Sequence, residues 1–106
     1  MSVQPRPTTD EEGLNKTERG WLEMLRRMQI DCLRIQAIRF KLADNTRYTP
    51  DFTGVRLGQL VAYEVKGFMR DDAAVKLKVV ARQFTEWHFV LVTREKGQWV
   101  QVEVKP

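Results

Sequence analysis

Thr49-Pro50-Asp51-Phe52-Thr53-Gly54-Val55-Arg56-Leu57-Gly58-Gln59-Leu60-Val61-Ala62-Tyr63-Glu64-Val65-Lys66-Gly67 is the stretch that decides the fold. Tyr48 to Val55 and Leu60 to Lys66 read as two strands, joined through Arg56-Leu57-Gly58-Gln59. About a turn centred between Leu57 and Gly58, residues equidistant from the turn oppose each other. Asp51 then falls opposite Glu64, with both side chains on one face. Alternation places Lys66 on that face as well, two residues beyond Glu64. Phe52, Tyr63 and Val65 point the other way, and all three are apolar or aromatic. One face is therefore expected to pack and the other to carry Asp51, Glu64 and Lys66. Pro50 has no N–H for a ladder and argues for an edge, a strand start or a bulge, which would shift the register.

Upstream, Asn15 followed three residues later by Glu18 has the spacing of a capping box. Trp21, Leu22, Leu25 and Met28 recur at helical spacing, so a first helix is expected over roughly 16–30. Leu33, Ile35, Ala37 and Ile38–Phe40 suggest a strand, and Asp44-Asn45 a turn. Residues 1–13 combine prolines, threonines and Asp10-Glu11-Glu12, and are read as a flexible tail before a single domain over 14–106. Downstream, Asp71 or Asp72 can cap a second helix with a core stripe of Ala73, Leu77, Val80 and Phe84. Trp87 to Thr93 and Gln98 to Val104 are two further strands, with Gly97 at the turn between them. A helix between strands permits a parallel return, so the expected fold is α/β: a mixed five-stranded sheet flanked by two helices.

Two carboxylates at hairpin distance repel, and a cation relieves the repulsion. Oxygen-only ligation by Asp51 and Glu64 suits a hard ion, Mg²⁺ or Mn²⁺. Lys66 beside that ion can orient a water and stabilise charge on a phosphate, which together describe phosphodiester hydrolysis. Glu18 shares its helix face with Trp21, Leu22 and Leu25, and a carboxylate on a packed face needs a partner. It can serve the metal site, or it can be the capping glutamate bonded to Asn15.

A helix glutamate, then Pro50-Asp51, then Glu64-Val65-Lys66 resembles the PD-(D/E)XK nucleases. Thr49-Pro50-Asp51-Phe52 and Glu64-Val65-Lys66-Gly67 look like small phage-encoded endonucleases of that superfamily, including four-way-junction resolving enzymes. The resemblance spans roughly residues 15–93. It implies a restriction-endonuclease-like αβββαβ core. It also implies that Asp51 and Glu64 ligate the metal, that Lys66 is the catalytic lysine, and that Glu18 contacts water at the metal. Cleavage of DNA, branched DNA included, and residence in a cytoplasm (the host's, for a phage protein) follow as expectations.

The 106 residues suit one domain, and 42% apolar with 30% charged residues is ordinary for a globular chain. No apolar run reaches the ~20 residues needed to cross a bilayer, and the first residues do not read as a secretory signal. Cys32 is the single cysteine and His88 the single histidine, which excludes a thiolate zinc site and a histidine cluster and favours a reducing compartment. The net charge is +4, and the acidic start makes the remainder more basic still. Such a body suits a phosphate-backbone binder. Arg70, Lys76, Lys78 and Arg82 are the candidate DNA contacts, Lys76 foremost because it lies near the start of its helix. A second Glu-x-Lys, Glu103-Val104-Lys105, has no upstream Pro-Asp and is read as a solvated strand face. Large apolar residues on the first helix (Trp21, Met24, Leu25, Met28) suggest pairing with a second copy. The competing reading is a nuclease-like module that holds DNA or protein without cutting. Paired carboxylates facing phosphates disfavour it, because without a metal they repel DNA.

Overall fold

A computed structural model describes residues 2–7, 10–67 and 71–106, with backbone alone at 71–73. The hairpin forms about the expected turn. Strand β5 (Phe52–Arg56) pairs antiparallel with β6 (Gln59–Lys66), Phe52 opposite Tyr63 and Arg56 opposite Gln59. Leu57 and Gly58 take φ of 52° and 78°, the positive values that a tight hairpin turn requires.

Helix α1 (Lys16–Arg27) precedes β2 (Asp31–Ile35), β3 (Ile38–Lys41) and β4 (Arg47–Tyr48). Helix α2 (Asp71–Gln83), β7 (Trp87–Glu95) and β8 (Gln98–Val104) follow the hairpin. The main sheet has five strands in the order β2-β5-β6-β7-β8. Its β6–β7 pair is parallel and its other pairs are antiparallel, so α2 is the crossover that allows the parallel return. The expected α/β fold, a mixed five-stranded sheet with two helices, is present. Among the described residues no helix is long and apolar enough to cross a membrane.

Alternation along β6 builds two cores. Val61, Tyr63 and Val65 pack with Trp21, Leu22 and Leu25 of α1, together with Phe52 and Val92. Ala62 turns to the opposite face, where Leu77, Val80, Ala81 and Phe84 of α2 meet Phe40, Tyr48, Phe89 and Leu91. Each buried large apolar side chain contributes about 1.5–3 kcal/mol relative to exposure. Gly54 is required by a close approach, and Gly20 by a tight one. A Cβ on Gly54 would lie 2.3 Å from Ile30 Cγ2, and one on Gly20 would lie 3.0 Å from the Trp99 ring.

Four expectations change. Residues 1–13 include a strand, β1 (Ser2–Pro5), which pairs with β3 from Ser2–Lys41 to Pro5–Ile38. A ladder rests on backbone groups, so a proline- and polar-rich composition did not preclude it. The expected strand through Leu33 and Phe40 divides near Gln36, whose φ is 49°. β2 joins the main sheet, and β3 joins a second sheet ordered β1-β3-β4. The expected strand Tyr48–Val55 divides at Pro50-Asp51, leaving β4 in the small sheet and β5 in the large one. Helix α1 also stops short of residue 30, since Gln29 has a φ of 56°.

Candidate active site

The chain leaves one sheet and enters the other at Pro50, and Asp51 occupies that gap. It follows the break and precedes the first ladder residue, Phe52, so it is not a ladder partner of Glu64 as the uninterrupted hairpin would have it. The missing proline N–H ends the ladder there. The side chain completes the connection instead: the Val65 N–H donates to Asp51 Oδ2 at 2.8 Å. The Asp51 carbonyl accepts from the Gln36 N–H at 3.0 Å, tying the gap to the other strand break. Asp51 is only 9% exposed. Burial, then the charge of Glu64, pushes its carboxyl up to about 8; the Val65 N–H opposes the rise, and the Glu18 carboxyl adds to it by charge and by a shared hydrogen bond.

Glu64 and Lys66 alternate with the buried Val65, as expected, and both are partly exposed. Glu64 Oε2 lies 3.1 Å from Lys66 Nζ. Glu64 Oε1 accepts from the Tyr48 hydroxyl at 2.8 Å. Sequence reasoning missed Tyr48, which it took as an ordinary strand residue. The available signal was a tyrosine just ahead of Pro50-Asp51, since a buried phenol needs a polar partner. Burial and the Glu64 carboxylate raise its hydroxyl well above the usual tyrosine range.

The capping reading of Glu18 holds. Its N–H donates to Asn15 Oδ1, and its Oε1 accepts from the Asn15 N–H, each at 2.8 Å. The same carboxyl reaches Asp51. The cap fixes the rotamer that brings the helix carboxyl to the sheet.

The expected DNA contacts separate. Lys76 Nζ stands 5.5 Å from the centroid of the Tyr48 ring, which puts it beside the Tyr48–Glu64 pair. Lys78 and Arg82 instead line a groove of about 420 Å³ with Leu91, Val102 and Lys105, toward β8. Two residues along a helix rotate by about 200°, so Lys76 and Lys78 cannot share a face. Arg70 lies outside the described residues.

Among the described residues no group of three or more His, Cys, Asp or Glu side chains is placed to hold a metal ion. With Glu18 engaged by Asn15, Asp51 and Glu64 remain as a pair of oxygen donors. Two protein carboxylates with water filling the other positions is a coordination that Mg²⁺ tolerates. The donor set is what fits a cation here: the Asp51 and Glu64 carboxyls lie close enough to repel, and Glu64 is already paired with the Lys66 ammonium. The second Glu-x-Lys is elsewhere, with Glu103 Oε1 2.6 Å from His88 Nδ1 in an exposed side-chain pair between β8 and β7. Trp21 and Trp99 pack together at 5.2 Å and Trp87 against Phe40 at 5.1 Å, so all three tryptophans are packed. Trp21, Leu22 and Leu25 are buried in the core, and Met24 and Met28 are partly buried against it. No protein-family model, curated protein or solved structure matches the chain.

Proposed function

We propose that the protein is a metal-dependent DNA endonuclease of the PD-(D/E)XK kind, working through Asp51, Glu64 and Lys66, with Glu18 beside them. The observation that carries the reading is the meeting of Asp51, Glu64 and Lys66 where β5 and β6 reach the strand break, one carboxylate buried and the other salt-bridged to the lysine. With the small-sheet strands β3 and β4 set aside as an insertion, the succession α1, β2, β5, β6, α2, β7 supports a restriction-endonuclease-like core.

Asp51 and Glu64 would hold Mg²⁺ or Mn²⁺, and the bound cation would supply charge neutralisation, phosphate polarisation and water activation. Asp51 must first give up its proton, which the charge of the ion favours. Lys66 then turns from Glu64 Oε2 toward the phosphate, where its ammonium offsets the charge that builds up in the transition state. Glu18 stands on the helix side of Asp51, able to accept a hydrogen bond from the entering water. The water oxygen bonds to phosphorus and gives up a proton to the Glu18 carboxylate, from which it passes to solvent; the bond to the sugar oxygen breaks, and that leaving oxygen takes its proton from solvent water. Lys76, beside Tyr48 and Glu64, meets a flanking phosphate. Its loss should weaken binding in a salt-dependent way.

Branched, Holliday-junction-like DNA is the substrate form suggested by the resemblance. A metal-dependent cleavage assay on linear, nicked, flapped and four-way-junction DNA tests both the activity and the preference. A protein that binds these DNAs but cuts none with either ion would favour the binding-module reading.

A further inference from the structure

The Tyr48 ring is packed against neighbours from two elements. Phe40 stacks against it at 6.3 Å with an interplanar angle of 24°, and Lys76 Nζ lies 5.5 Å from its centroid. The residue is 7% exposed, and its backbone is fixed by the β3–β4 ladder, with Phe40 opposite Tyr48. A ring so confined has little rotamer freedom, so its hydroxyl is a fixed point. That point is 2.8 Å from Glu64 Oε1. The other oxygen, Oε2, faces Lys66. One oxygen of Glu64 is thus engaged by a hydroxyl anchored in the small sheet, and the other is left to a mobile cation.

We infer that Tyr48 is a positioning residue that makes Glu64 a one-oxygen ligand and so biases the site toward small octahedral ions and against Ca²⁺. This rests on the nuclease reading above. Mg²⁺ and Mn²⁺ accept one oxygen per carboxylate at octahedral positions, whereas Ca²⁺ commonly takes both oxygens of a carboxylate. A hydroxyl donating to Oε1 opposes the two-oxygen mode and orients Oε2. Partners of this kind, which orient a metal ligand, typically change metal affinity by ~10–100-fold when lost. The small sheet therefore has a role at the site: β1 and β3 carry β4, and β4 carries the hydroxyl.

The test is Tyr48→Phe, which keeps the ring with its Phe40 and Lys76 contacts and removes only the hydroxyl. Binding of Mn²⁺ alone and of Ca²⁺ alone is measured by calorimetry on wild-type and variant protein, without DNA. Mn²⁺ affinity should fall by ~10-fold or more while Ca²⁺ affinity falls less or rises, so the Mn²⁺-to-Ca²⁺ preference drops. A purely structural tyrosine would not move that ratio. An unchanged ratio in a variant whose wild-type parent binds Mn²⁺ overturns the inference and leaves the nuclease reading standing. A wild-type protein that takes up no Mn²⁺ removes both.

Discussion

Val65 donates its backbone N–H to Asp51 Oδ2 at 2.8 Å, so a side chain continues the β5–β6 connection past the point where Pro50 ends the ladder. This one bond explains why Asp51 is both buried and fixed. It also places the acid against Glu64 and Glu18, whose charges it must share the space with.

The first consequence is a pH-dependent stability. Folding raises the Asp51 carboxyl from 3.8 to about 8, chiefly through burial and Glu64. Between those values the folded chain keeps a proton that the unfolded chain releases. Stability therefore falls as pH rises through that window, and is greatest at its acid end as far as this group is concerned. Without metal, the melting temperature should drop from pH 5 to pH 8 by on the order of 10 °C. Asp51→Asn keeps an acceptor for Val65 and should flatten the profile, melting above wild type at pH 8. Parallel profiles for the two proteins would contradict the assignment.

Glu18 caps α1 and also faces Asp51, and substitutions can separate the two. Glu18→Gln keeps a carbonyl oxygen for the Asn15 N–H and removes the charge facing Asp51. It should melt at or above the wild-type temperature while slowing cleavage. Glu18→Ala loses the cap as well and should cost about 1 kcal/mol in urea unfolding. Equal stability of the two variants would show that the capping bond contributes nothing.

Lys66 Nζ pairs with Glu64, 3.1 Å from Oε2. Lys66→Met removes that competing cation. It should tighten Mn²⁺ binding several-fold, yet lower cleavage by a factor on the order of 10² or more. Glu103→Ala and Lys105→Ala, in the second Glu-x-Lys, should change neither quantity. Weaker Mn²⁺ binding in Lys66→Met, or a comparable loss of cleavage in the control variants, would refute this division of roles.

Gly54 tests the packing beneath the site. An alanine Cβ there would meet Ile30 Cγ2 at 2.3 Å and the Asp31 carbonyl at 2.9 Å. Gly54→Ala should destabilise the fold by about 1–3 kcal/mol, read from urea denaturation. A neutral result would mean that β2 yields to β5 with ease.

The alternation of Phe52, Tyr63, Glu64, Val65 and Lys66 was legible because side-chain direction in a strand depends on parity alone. The turn at Leu57-Gly58 was legible for the same local reason. What escaped was set by tertiary structure. Pro50 gave notice of a break, but nothing local says that the chain on either side joins different sheets. β1 escaped because its partner, Ile38–Lys41, lies far along the chain and the pairing uses backbone groups. Tyr48 escaped because its relation to Glu64 crosses from one sheet to the other. Lys78 and Arg82 were grouped with Lys76 by nearness in sequence, although helical rotation turns them toward β8.

The most direct test of the central claim is DNA cleavage by purified protein over a titration of Mg²⁺ or Mn²⁺, with EDTA and Asp51→Asn as controls. Linear, nicked, flapped and four-way-junction substrates are compared at one stated salt concentration. The account predicts strand cleavage that appears with either ion, vanishes in EDTA and is absent from Asp51→Asn. Undiminished cutting in EDTA, or equal cutting by Asp51→Asn, would contradict it.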